Sequence, residues 1–145
     1  MFTGETCLNR VKPDTKRAKT KGESKRGNRE VKMDCIFCQI VAGKVPSEII
    51  YQDEAVIAFR DINPQAPTHL VIIPKRHIPS LAQLTEAESS LVGHMVSTAN
   101  QLAKREGIAE SGYRLVINCG KEGGQLVPHL HLHLLGGRKL SDKLG

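Results

Sequence analysis

Near its C-terminus the chain reads His129-Leu130-His131-Leu132-His133-Leu134-Leu135, with histidine and leucine in strict alternation. Side chains two apart on an extended chain share a face, so the spacing predicts a strand with three imidazoles on one side and leucines on the other. The leucine side demands a core beneath it. The imidazole side leaves three readings open. It is a metal chelator, since His-x-His on a strand suits zinc; or a plain surface; or a site of acid–base and nucleophilic chemistry, because imidazole titrates near neutral pH. Half of the 6 histidines in the chain lie in this segment. No carboxylate interrupts it, which weighs against a metal-activated water.

A length of 145 residues fits one domain with an ordinary core. Tryptophan is absent and only Phe2, Phe37, Phe59, Tyr51 and Tyr113 are aromatic, so that core is aliphatic. Charge is unevenly distributed. Residues 1–32 carry 10 Lys/Arg against 4 Asp/Glu, whereas residues 33–145 carry 11 of each. The net charge of +6 therefore belongs to the first segment and does not describe the domain. Residues 1–32 lack apolar periodicity and read as a disordered basic tail, or as sequence upstream of a natural start at Met33. No aromatics interleave with its cations for base stacking, so nucleic acid is not the expected partner. Its acids, Glu5, Asp14, Glu23 and Glu30, do not suit a transit peptide. Cys7, Cys35, Cys38 and Cys119 do not form a secreted disulfide pattern. No apolar run reaches membrane-spanning length. A cytoplasmic protein is expected.

Local signals divide residues 33–145 into elements. Asp34 is the expected cap of a short helix over 35–42, closed by Gly43. Strands are expected over 48–51 and 55–61 as a hairpin, and over 68–73 after the rigid loop 63–67. Thr85 and Glu88 form a capping box. The helix after it should run to about residue 106 and bury Leu91, Val92, Met95, Ala99, Leu102 and Ala103. A strand over 113–119, a glycine turn over 120–124 and the histidine strand over 127–135 complete the domain. Hairpins with segregated helices imply an α+β fold and a mainly antiparallel sheet.

Two constellations flank the histidines. Gly120, Gly123 and Gly124 let backbone approach an anion closely, and Asn118 and Gln125 beside them offer neutral donors. A hairpin turn explains the glycines alone; with three histidines following, a phosphate-facing loop is the better reading. Cys35 and Cys38 have the spacing of half a tetrahedral zinc site, or are two small buried side chains on a helix. His77 and a triad histidine are candidates for the remaining ligands.

Together these motifs resemble the histidine-triad (HIT) superfamily, and within it the Hint-like nucleoside phosphoramidases. The carriers are Asp34-Cys35-Ile36-Phe37-Cys38, the run from Phe59 to His69, Pro74-Lys75-Arg76-His77, Asn118, Gly123-Gly124-Gln125, the triad and Gly136-Gly137-Arg138. The resemblance covers about residues 34–138 and leaves the tail out. It implies a five-stranded antiparallel sheet with one long and one or two short helices. It further implies a homodimer that joins two sheets into ten strands through the long helix.

By the same resemblance, His131 is the nucleophile toward a purine nucleoside 5′-phosphoramidate, with a nucleotidylated His131 as intermediate. His133 and Asn118 would hold phosphate oxygens, with backbone amides beside Gly124 and Gln125. His69 would join a proton relay, and Asp61 would accept the ribose hydroxyls. Ile36, Phe37, Phe59 and Ile62 would form the base slot. Cys35, Cys38, His77 and His129 would hold structural zinc; without zinc, His129 would orient His131. Leu126 departs from the pattern, since many relatives place a hydroxyl residue there against phosphate. Dinucleoside polyphosphate hydrolysis, nucleotidyl transfer and non-catalytic purine-nucleotide binding are the alternatives on the same fold.

Overall fold

The computed structural model describes residues 34–145, so the expectations for residues 1–32 and for Met33 lie outside the described residues. Strands β1 (Ile49–Gln52), β2 (Val56–Arg60), β3 (Thr68–Pro74), β4 (Tyr113–Val116) and β5 (Leu132–Gly136) form one antiparallel sheet in the order β1-β2-β3-β5-β4. Helices α1 (Ile36–Val41) and α2 (Ser89–Arg105) pack on opposite faces. β3 holds the middle because Leu70-Val71-Ile72-Ile73 is apolar on both faces, and every one of its residues is buried. On one side Leu70 and Ile72 join Leu130, Leu132 and Leu134 beneath Met95, Ala99 and Leu102 of α2. On the other, Val71 and Ile73 pack with Ile57, Phe59 and Ile40 of α1. The triad leucines thus face the larger core, which leaves the histidines on the α1 side.

Several boundaries differ from expectation, each for a local reason. Cys35, not Asp34, occupies the position that caps α1, and its side chain makes no capping bond. The capping box is present: the amide and hydroxyl of Thr85 donate to Glu88 Oε2 at 2.7 and 2.6 Å. It starts a 3-10 turn, Glu86–Glu88, and α2 begins only at Ser89. Leu91 and Val92 near that start are half-buried, while Thr98 joins the buried stripe.

β4 stops at Val116, whose partner His133 is the last residue of β5 it pairs with. β5 begins at Leu132, five residues later than expected. Pro128 has no N–H to give, and the Leu130 amide leaves the ladder to donate to Ile78 O at 2.6 Å. The alternation of faces survives without the ladder, since Leu130 is buried in the same core as Leu132 and Leu134. Among the described residues no helix is long and apolar enough to cross a membrane.

Candidate functional site: two histidine clusters on one strand

A pocket of about 400 Å³ opens on the α1 side of the sheet. His131, His133, His69, Asp61, Asn118, Gly124, Leu126 and Phe37 line it, so most of the expected site residues are brought together. Val116, Val127, Leu135, Asn63 and Gln65 also line it and were not expected to. Leu135 could have been found, because it continues the every-second-residue row of the histidines.

The ring nitrogens can be assigned from their partners, because a carbonyl only accepts and an amide N–H only donates. His131 Nδ1 lies 2.7 Å from the His129 carbonyl and must carry the proton, which leaves Nε2 with a free lone pair. His69 Nδ1 accepts from the Gln65 amide at 3.0 Å, so its proton sits on Nε2. That N–H points at His133 Nδ1, 2.8 Å away, with Asp61 Oδ2 a weaker neighbour at 3.4 Å. His133 Nδ1 is then the acceptor, and its own proton is on Nε2.

Burial above all, then the neighbouring His131 and His69, pushes the His133 pKa down to about 4, against a smaller opposing pull from Asp61. His69 is lowered too, by burial that Asp61 partly offsets. At neutral pH His133 is therefore uncharged, and its Nε2–H is a neutral donor.

The base-slot residues separate. Phe37 sets its edge against the His131 ring, with centroids 5.2 Å apart, and meets Phe59 at 5.6 Å. Phe59 is buried in the small core behind the pocket wall. Ile36 is exposed outside the pocket lining, and Ile62, 92% exposed, stands beside Asp61 without lining it.

The glycine turn is tightly specified. A Cβ on Gly123 would collide with the Cys119 carbonyl. Gln125 spends itself on the loop: its amide donates to Gly120 O, its Oε1 accepts from the Gly120 amide, and its Nε2 donates to Pro79 O and Val127 O. Its side chain pins the turn to the segment before α2 and is not among the pocket lining. Asn118 Nδ2 donates to Gly124 O at 3.3 Å.

His129 leaves this pocket. Its ring is fully buried beside Cys35, Cys38 and His77, whose ligand atoms all lie within 4.8 Å of one another. Its Nε2 donates to Pro74 O at 2.9 Å, so the Nδ1 lone pair faces the sulfurs of Cys35 and Cys38 at 3.4 and 3.6 Å. His77 Nδ1 stands 3.2 Å from Cys38 Sγ. Tetrahedral zinc, at ~2.3 Å from sulfur and ~2.0 Å from nitrogen, sets sulfur–nitrogen separations of about 3.5 Å. Ligand types, spacing and the carbonyl behind His129 all fit such an ion.

His129 also meets His131, through its backbone carbonyl and not through its ring. Nothing in the sequence distinguishes a carbonyl contact from a ring contact.

The chain matches the HIT domain family over residues 42–140. It is 49% identical over 111 residues to the purine nucleoside phosphoramidase of Escherichia coli K12, covering 77% of this chain and 93% of that protein. The crystal structure of a HIT family hydrolase from Legionella pneumophila superposes with a TM-score of 0.76 at 47% identity, covering 77% of this chain and all of that one. A zinc-bound histidine triad family protein from Mycobacterium smegmatis superposes with a TM-score of 0.66 at 34% identity, covering 78% of this chain and 81% of that one.

Proposed function

The chain belongs to the HIT domain family, and on that premise we propose that it hydrolyses purine nucleoside 5′-phosphoramidates. The observation that carries this reading is the locked ring of His131. With Nδ1–H held by the His129 carbonyl, Nε2 is a nucleophile that needs no prior ionisation.

Attack on the α-phosphorus forms the P–Nε2 bond of His131 and breaks the P–N bond to the amine. The amine leaves with one proton, and the water that later cleaves the nucleotidyl-His131 bond returns one to the site. The His69–His133 pair is the proton path this pocket offers, and the His133 Nε2–H and Asn118 are donors to phosphate oxygens. Asp61, held by the Asn63 amide at 2.8 Å, is positioned to accept ribose hydroxyls. The base would lie against Phe37, backed by Phe59, with Ile36 and Ile62 at the rim. Gly124 and the turn beside Gln125 supply the close backbone approach.

Cys35, Cys38, His77 and His129 are proposed to hold a structural zinc ion. It would fix the segment that carries His129 and take no part in bond breaking. A homodimer paired through α2 and a cytoplasmic location complete the reading. No cofactor is proposed for the chemistry itself.

Incubation with an adenosine 5′-phosphoramidate should release AMP from the purified protein. Equal release by wild type and His131→Ala would refute the nucleophile. Diadenosine polyphosphate assayed alongside should turn over more slowly; a reversal of that order would move the assignment to the polyphosphate hydrolases.

A further inference from the structure

The segment Gly136-Gly137-Arg138 follows the triad directly and has no part in the mechanism above. Its contacts lead back to the pocket from the other side. Arg138 Nη2 donates to the Gln65 carbonyl at 2.9 Å, a contact spanning 73 residues of sequence. Its Nη1 donates to Lys139 O at 3.1 Å, which ties the guanidinium to its own strand end. Gly137 has φ +91°, and a Cβ there would approach Pro67 Cβ to 2.9 Å, so only glycine lets the two segments close to this distance. Next to it, Gly136 pairs with Thr68 across the β3–β5 ladder. The loop 63–67 is thus gripped at Gln65, at Pro67 and at the start of β3.

Besides holding Asp61 through the Asn63 amide, that loop sets the His69 ring: the Gln65 amide donates to His69 Nδ1 at 3.0 Å. This bond decides which nitrogen of His69 carries the proton. If it loosens, His69 is free to protonate Nδ1. Its Nε2 would then face His133 Nδ1 across 2.8 Å as a second acceptor. Two lone pairs cannot share that contact, so His133 would have to change tautomer or turn, and its Nε2–H would be lost to the pocket.

We infer that Arg138 is a positioning residue that, by holding the Gln65 carbonyl, keeps His69 and therefore His133 in the Nε2–H tautomer. The inference rests on the phosphoramidase reading for its consequence in turnover, but its structural content can be read in the resting protein. Arg138 is exposed, so its replacement should leave the fold intact.

The experiment is two-bond ¹⁵N–¹H spectroscopy of histidine-labelled protein at neutral pH, with AMP release from an adenosine 5′-phosphoramidate measured on the same samples. In wild type, His69 and His133 should both show Nε2–H. In Arg138→Met, the His69 Nδ1 and Nε2 shifts should move toward each other as tautomers mix. Turnover should drop about tenfold in kcat with KM changed less than about twofold, as for a misplaced rather than a missing group. Arg138→Lys, which retains a cationic donor, should recover most of both signals.

Wild-type ¹⁵N shifts in Arg138→Met overturn the inference. So does a loss of turnover without a change in His69, since that would make Arg138 merely structural. Absence of turnover in wild type would instead count against the phosphoramidase reading, and the tautomer result would still decide the role of Arg138.

Discussion

The same short segment serves two clusters built from similar parts. At Cys35, Cys38, His77 and His129 the ligand atoms converge behind a buried wall. At Asp61, His69 and His133 they converge equally closely on an open pocket. What separates the two is the partner of each second ring nitrogen. In the first, a carbonyl holds His129 Nε2 and turns its lone pair toward two sulfurs. In the second, an amide turns the N–H of His69 toward another imidazole, so these two ring nitrogens are bonded to each other. On the proposed reading, backbone groups would direct identical side chains to metal retention in one cluster and to proton handling in the other.

Four experiments test that division, beginning with the largest effect. His131→Ala should lower turnover by on the order of 10⁴-fold or more while the melting temperature and zinc content stay at wild-type values. A loss of metal with this variant would break the separation between the clusters. Cys35→Ser should do the reverse in stability. It should release zinc, measured by emission spectroscopy of the dialysed protein, and destabilise the fold by about 3 kcal/mol or more in urea titration. Unchanged metal content would remove the first cluster from the argument.

The third test uses acid. His133 titrates near 4 in the folded protein, below the 6.5 of a free imidazole. Between those values the unfolded chain binds more protons than the folded one, so this residue's contribution is complete above about pH 6.5 and is lost as pH falls toward 4. The loss is at most about 3 kcal/mol. His133→Asn should show a shallower decline over that window than wild type, and parallel curves would sink the assignment. The smallest effect belongs to Leu126, 92% exposed in the pocket wall. Leu126→Ser should change stability by less than about 0.5 kcal/mol, yet alter relative kcat/KM among substrates with different amines by a few-fold. Identical preferences would mean that this side chain does not meet the leaving group.

Much of this was legible beforehand. Alternation of histidine with leucine placed Leu130, Leu132 and Leu134 in the core, and the Thr85–Glu88 box marked the approach to the long helix. Gly43 and Gly107 follow the ends of α1 and α2 as expected. Convergence of Cys35, Cys38, His77 and His129 matched the expected ligand set. The missed features are those that depend on the backbone in three dimensions. The late start of β5 comes from the bond between Leu130 and Ile78, residues far apart in sequence. Gln125 looked like a ligand donor, but both ends of its amide are bonded within its own turn and to Pro79. No spacing rule reveals which imidazole nitrogen faces a carbonyl.

The interleaving of Leu130, Leu132 and Leu134 with the histidines has a thermal consequence. Every second residue that aims an imidazole is separated from the next by a side chain seated in the main core. The aim of the histidines and the cohesion of the core therefore belong to one cooperative unit. On heating, the alignment of the three imidazoles should therefore be lost in the same transition that melts the core.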